Sequence, residues 1–210
     1  MLVSASFLSS NNPPVDLKKL NETDVDFIHV DIMDGKFVKN KTMPFREMKN
    51  IYKFTDKRLD VHLMVEQPEK YIPLYAELNT EYITFHLETE ENIESNLELI
   101  KGYGIKTGLA IKPNTEVKEL VPYLPLLDLV LVMSVEPGAG GQDFIEDTPK
   151  KLEELRTLLK EYNQDIVISV DGGINNETGL LCKEAGCDTL VSASYVHKDV
   201  INNINILKNL

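Results

Sequence analysis

The chain has 210 residues, 34 of them acidic and 22 basic, for a formal net charge of -12. That length provides one sizeable core. The acidic balance excludes nucleic acid or an anionic membrane surface as the main partner, since both need a basic footprint.

A small phosphate ester is not excluded, because a few backbone N–H groups can hold one locally. The opening MLVSASFLSSNN has no basic n-region and is too short for the apolar segment of a secretion signal. The most apolar stretch, residues 124–135, is interrupted by Asp128 and is too short to span a bilayer. A soluble cytoplasmic protein is expected. Cys182 and Cys187 form neither a CxxC pair nor a disulfide framework and read as reduced packing residues. No linker or low-complexity segment divides the chain, so residues 1–210 are expected to form one domain.

In chain order, apolar β-branched runs at 2–7, 27–32 and 59–64 predict the first three strands. Residues 68–78 place Tyr71, Leu74, Tyr75 and Leu78 at helical spacing, and a strand follows at 82–86. A helix at 92–100 ends before Gly104, with strands predicted at 106–111 and 129–135. Residues 148–159 open with Pro149 and place Leu152, Leu155, Leu158 and Leu159 on one stripe. A strand at 166–170, a helix at 177–184 stopped by Gly186, and a strand at 189–193 complete the series. The strands are near-continuously apolar, as parallel strands covered on both faces should be. Eight such units in a chain of this length predict an α/β fold, a single-domain (β/α)8 TIM barrel, over the alternative of a doubly wound open sheet.

Chemistry in such barrels sits at the C-terminal ends of the strands. Ser6, Asp31, His62, His86, Met133, Asp171 and Ser194 fall at or near those ends. His29 and Asp31, two residues apart on one strand, project to the same face. Two imidazoles and two carboxylates converging on one point make a metal site whose carboxylates can also move protons. The glycines of PGAGGQ and DGG let backbone N–H groups approach an anion.

Taken together and in this order, HVDIMDG, DVHLM, PGAGGQ and VDGGIN resemble the ribulose-phosphate 3-epimerase family from residue 4 to about residue 198. The resemblance implies a ribulose-phosphate-binding barrel that interconverts D-ribulose 5-phosphate and D-xylulose 5-phosphate with one divalent metal ion. By motif, His29, Asp31, His62 and Asp171 match the family's metal ligands, and Asp31 and Asp171 its acid/base pair. The substrate-binding set is then Ser6, His62, Gly138, Ala139, Gly140, Gly141, Asp171, Gly172, Gly173, Ala193 and Ser194. Met33, Met64 and Met133 read either as core filling or as a soft wall beside the reacting carbon, and the resemblance favours the wall. The chain departs from the family pattern at Ala5, Lys36, Lys39, Ala139 and Ala193, none of which removes a ligand or a carboxylate.

Inverting a carbon beside a ketone requires a base on each face and stabilisation of an enediolate, which a Lewis-acidic ion supplies. Two imidazoles with two carboxylates suit Zn, Fe(II), Mn or Co better than Mg or Ca, and leave the choice among the four open. The implied partner is a small phosphorylated ketose. A homo-oligomer is left open, since barrels often assemble and no interface is legible in the sequence. The nearest rival substrate is a hexulose phosphate such as D-allulose 6-phosphate. A lyase or decarboxylase is disfavoured because no lysine stands in the strand-end motifs. A catalytically silent phosphate-binding barrel is the alternative of another class. His86 and Glu88 in FHLE read as hydrogen-bonding support outside the catalytic set, Asn114 as a turn residue, Lys36, Lys39 and Lys41 as solvated, and His197 has no assigned role.

Overall fold

The computed structural model describes residues 1–89 and 92–210. Its strands are β1 (Leu2–Ser6), β2 (Phe27–Met33), β3 (Arg58–Met64), β4 (Thr80–His86), β5 (Lys106–Ile111), β6 (Leu129–Met133), β7 (Val167–Asp171) and β8 (Thr189–Ser192). Each pairs in parallel with the next, and β8 returns to β1 through Val3 opposite Leu190 and Ser4 opposite Val191, closing the barrel. Closure leaves no strand edge exposed, and it removes the open-sheet alternative.

The period-two alternation of a strand explains how one continuous apolar run serves two surfaces. Val3, Ile28, Val30, Val61, Leu63, Ile83, Phe85, Leu109, Val130, Val132, Ile168 and Leu190 belong to the main core, packed with the helices. The intervening residues Tyr82, Ala110, Leu129, Leu131, Met133 and Val191 form a separate cluster with Phe27 and Val167, the apolar part of the barrel interior. On β1 to β4 the alternate positions Ser4, Ser6, His29, Asp31, Asp60, His62, Thr84 and His86 are polar and buried, and Met33 and Met64 close that face at the ends of β2 and β3. The barrel is thus apolar inside on the β5–β6 and β8 side and polar inside on the β1–β4 side.

The helices are α1 (Pro13–Asn21), α2 (Phe45–Ile51), α3 (Ile72–Ala76), α4 (Ile93–Gly102), α5 (Thr148–Glu161), α6 (Asn176–Glu184) and α7 (Val200–Lys208). Each turns one stripe inward; on α5 it is Leu152, Leu155 and Leu159, all buried in the main core. Truncating one such leucine to alanine costs about 2–5 kcal/mol. Asn175 closes the first turn of α6, its side chain accepting from the backbone of Glu177 and Thr178.

Three differences from the sequence pattern have physical causes. The helix expected at 68–78 is split into a short 3-10 turn at Pro68–Lys70 and α3, with Pro68 and Pro73 starting each piece. Between β5 and β6 the crossover is a 3-10 helix, Val117–Leu126, because Pro122 and Pro125 lack the N–H that an α-helix would need there. Strand β7 reaches Asp171, and β6 stops at Met133, where Ser134 turns its Oγ to the carbonyl of Gly172 at 2.6 Å. Among the described residues no helix is long and apolar enough to cross a membrane.

Candidate active site

The register of the sheet gathers the chemistry. His29 on β2 lies opposite Asp60 on β3, and Asp31 opposite His62. Side chains of paired residues on adjacent strands touch, so four polar groups meet in two rows at the C-terminal mouth. Asp171 reaches the same point from β7, the end of which pairs with Met133 of β6. One ligand atom from each of His29, Asp31, His62 and Asp171 lies within 4.8 Å of every other, so together they can hold a metal ion.

The distances fit a common cation. His29 Nε2 is 3.4 Å from Asp31 Oδ1 and 3.9 Å from Asp171 Oδ2. His62 Nδ1 is 3.3 Å from Asp31 Oδ1 and 3.9 Å from Asp171 Oδ2. Bonds of about 2.0–2.2 Å from one ion put its ligand atoms about 3–4.3 Å apart. Those same two nitrogens, His29 Nε2 and His62 Nδ1, are buried without a hydrogen-bond partner among the described residues. An unpaired buried acceptor is costly, and a cation bound there would use both lone pairs.

The ring nitrogens and carboxylate oxygens behind this centre are partnered, whereas the hydroxyls of Thr84 on β4 and Ser169 on β7 are buried without one among the described residues. His29 Nδ1 donates to Asp60 Oδ2 at 2.8 Å, and Ser4 Oγ donates to the same oxygen at 2.8 Å. His62 Nε2 meets His86 Nε2 at 2.9 Å, and His86 Nδ1 meets Glu88 Oε2 at 3.0 Å. Ser6 Oγ donates to Asp31 Oδ2 at 2.8 Å and accepts from the Leu8 backbone at 3.2 Å. In turn, His197 Nε2 lies 2.8 Å from the Ser6 carbonyl, tying the segment after β8 to the end of β1.

The two aspartates titrate apart. Burial pushes both carboxyls up, but at Asp31 the nearby imidazoles of His29 and His62 prevail and hold it well below the ordinary range. At Asp171 burial prevails over the attraction of His29, Asp31 adds repulsion, and the carboxyl rises to about 6. Burial opposes charge on His29 as well, yet Asp31 and Asp60 together raise it well above its usual value. His86 is pushed down to about 4, by burial against the pull of Glu88. Glu88 is held at about 2: its bonds to His86, the Lys112 backbone and Thr115 overcome burial. Two neighbouring carboxylates in unlike environments thus carry one proton between them below about pH 6 in the metal-free protein, and it sits on Asp171.

Beside the centre lies a cavity lined by Ser6, Asp31, Met64, Met133, Asp171, the turn from Gly138 to Gln142, Gly172, Gly173, Ala193 and Ser194. Every candidate residue from the substrate set except the deeper His62 is in that wall. Gly172 and Gly173 have φ of 126° and 63°, and a Cβ there would meet the backbone nitrogens of Val135 at 2.9 Å and Phe144 at 2.8 Å. Side-chain amides fasten the carbonyls of the glycine turn: Asn40 Nδ2 donates to Gly138 O at 2.7 Å, and Gln142 Nε2 to Glu136 O at 2.7 Å and Ala139 O at 2.8 Å. With the peptides of this turn trans, the N–H groups of Ala139 and Gly140 point away from those amides. Neither Ala139 nor Ala193 has a positive φ, so both departures from glycine or a larger residue are free of backbone strain. Met33 faces a neighbouring cavity with His29, Asp31, Asn40 and Lys41, and packs on Met64 and Val38.

The spacing in the sequence marked the four central residues and the glycine turns, but not Asp60, Asn40, Gln142 or the tie from His197. Asp60 did carry a signal: it stands two residues before His62, as His29 stands two before Asp31, and so shares the interior face.

A closed parallel barrel with two imidazoles and two carboxylates at its mouth, beside a glycine-lined cavity, defines a barrel enzyme with a candidate metal centre. The chain belongs to the ribulose-phosphate 3 epimerase family, whose profile matches residues 2–197. It is 38% identical over 197 residues to a ribulose-phosphate 3-epimerase of Bacillus subtilis (strain 168), covering 93% of this chain and 89% of that one. A ribulose-phosphate 3-epimerase of Helicobacter pylori (strain J99) is 37% identical over 93% of this chain and 90% of its own. Among solved structures, 3-hexulose-6-phosphate synthase from Salmonella typhimurium superposes with a TM-score of 0.70 at 18% identity, over 100% of this chain and 97% of that one. N-(5'-phosphoribosyl)anthranilate isomerase from Pyrococcus furiosus gives 0.65 at 15% identity, over 100% of both chains. At such identities the likeness concerns the fold alone.

Proposed function

We propose that this chain is a metal-dependent epimerase that interconverts D-ribulose 5-phosphate and D-xylulose 5-phosphate by proton transfer at C3. The observation that carries the reading is the meeting of His29, Asp31, His62 and Asp171 with two unpartnered ring nitrogens turned to their centre. A divalent ion held by these four residues, of the Zn, Fe(II), Mn or Co type, supplies Lewis-acid stabilisation of the charge that develops on the substrate oxygens.

The chain's own groups do the rest. Asp31 and Asp171 come from strands that do not pair with one another, which suits bases on opposite faces of C3. One carboxylate removes the proton while the other returns one, and their roles exchange in the reverse direction. Ser6 holds one Asp31 oxygen and so limits which oxygen meets the substrate. The N–H groups of the glycine turn and of the segments at Gly172–Gly173 and Ala193–Ser194 are assigned to the phosphate, held by dipoles rather than by charge. Met64 and Met133, with Met33 behind, form an apolar wall that excludes water from the reacting carbon. A cytoplasmic site of action is in keeping with the phosphorylated substrate and with Cys182 and Cys187, both free and buried.

The test is an assay in D₂O. Deuterium is expected at C3 of the product, and Asp31→Asn or Asp171→Asn should each lower kcat by about 10³-fold or more while leaving the far-UV circular dichroism unchanged. Chelation should abolish activity and one of the four metals restore it. A preference above about tenfold for a hexulose 6-phosphate, or full activity in both asparagine variants, would overturn the proposal.

A further inference from the structure

We propose that Glu88 and His86 are positioning residues that fix the tautomer of His62, and that this buried relay sets how tightly the centre holds a divalent cation. The inference rests on the metal-centre reading above and adds two residues that touch neither substrate nor ion.

The direction of the relay follows from counting donors inward from the loop after β5. Glu88 Oε1 accepts the Lys112 N–H at 2.7 Å and also the hydroxyl of Thr115. An ionised carboxylate only accepts, so at 3.0 Å from its other oxygen His86 Nδ1 must carry the hydrogen. A neutral imidazole with its proton on Nδ1 has a lone pair on Nε2. His62 Nε2, 2.9 Å away, must then be the donor, which leaves His62 Nδ1 as the lone pair facing Asp31 and Asp171. Each assignment forces the next. His29 is fixed independently by Asp60, and through the opposite pairing: it offers Nε2 to the centre while His62 offers Nδ1.

The relay is held sterically as well. The His86 ring is fully buried and packs on Phe37 with ring centroids 4.7 Å apart, and Lys112 Nζ lies 4.2 Å from the same Phe37 ring. A buried imidazole and carboxylate are a costly way to fill space unless every bond is made. Here the chain of bonds ends at a ring nitrogen that has no hydrogen-bond partner among the described residues. That unpaired end is what a merely structural network lacks.

Without the relay His62 would divide between two tautomers, one of which turns an N–H toward the carboxylates and cannot ligate. The experiment is an equilibrium competition for Zn²⁺ against a chromophoric chelator, with parent, His86→Phe, Glu88→Ala and Glu88→Gln. The two removals should weaken binding about 10- to 100-fold, and the glutamine, which keeps an acceptor for His86 Nδ1, should lose less than the alanine. Two-bond ¹H–¹⁵N spectra of the metal-free proteins supply a readout that packing alone does not move: the His62 proton should sit on Nε2 in the parent and shift toward Nδ1 in the removals. Glu88 lies at the outer end of the relay, so its variants decide the matter even where His86→Phe folds poorly. Parental affinity and an unchanged His62 tautomer in Glu88→Ala overturn the relay and leave the metal centre standing. Failure of the parent itself to bind Zn²⁺, Mn²⁺ or Co²⁺ overturns both.

Discussion

Asp31 and Asp171 are chemically the same side chain, and the barrel makes them different acids. Asp31 faces both imidazoles and a serine hydroxyl. Asp171 keeps 19% side-chain exposure and stands farther from each ring, at 3.9 Å. In the metal-free protein the folded state raises its carboxyl from 3.8 to about 6. A raised pKa means that the native state binds the proton more tightly than the unfolded chain. Its contribution to stability is therefore complete below about pH 4 and lost as pH rises through about 6. Asp171→Asn stays neutral throughout. With metal chelated, the variant should gain on the parent by roughly 3 kcal/mol between pH 4 and pH 7.5 in urea unfolding. A gap that does not change with pH would contradict the assignment. At this scale the sequence was legible where spacing alone carries the message, as in HVD and VDGG. The interior position of Asp60 follows from its place two residues before His62, but its pairing with His29 is a fact of register that no local pattern carries.

At the scale of elements, the strands were legible and some crossovers were not. Strand runs such as LDVHLM announce themselves by apolar continuity, and the inner polar residues then follow by alternation. The crossover between β5 and β6 has apolar residues in plenty, but Pro122 and Pro125 convert it to a 3-10 helix. Contacts such as Asn40 to Gly138 or His197 to Ser6 join loops far apart in the chain, and no periodicity encodes them. The glycine turns give a contrast that can be measured. Gly172→Ala sets a Cβ 2.6 Å from Val135 Cγ2 and 2.9 Å from its backbone nitrogen at φ 126°, and should cost about 2 kcal/mol or more in urea unfolding. Gly141 also has a positive φ, 75°, but its Cβ would meet nothing within 4 Å. Gly141→Ala should therefore cost only about 1 kcal/mol, from the backbone alone. Equal losses at the two positions would show that close approach is not what requires Gly172.

Over the whole molecule, an acidic protein is proposed to take an anionic substrate. With a formal charge of -12, the long-range field repels a sugar phosphate, while the short-range dipoles of the glycine turns hold it. Salt screens the first over a Debye length of about 10 Å at 0.1 M and affects the second little. Raising KCl from about 10 to 200 mM should therefore increase kcat/KM rather than lower it. A steep fall would instead mean that Lys36, Lys39 and Lys41, all exposed beside the mouth, steer the substrate in.

Closure of the barrel has a temporal consequence. Ser6 stands in the first strand, the Ala193–Ser194 wall follows the last, and His197 joins them across almost the full sequence. Lys208 of α7 reaches back to Asp26, which in turn accepts from the Val3 backbone. A nascent chain leaving the ribosome thus carries His29, Asp31 and His62 early, yet owns no finished pocket until β8 and the segment to His197 have followed. Synthesis halted before β8 would leave the barrel with an open seam beside β1, and competence would arrive only once β8 closes it.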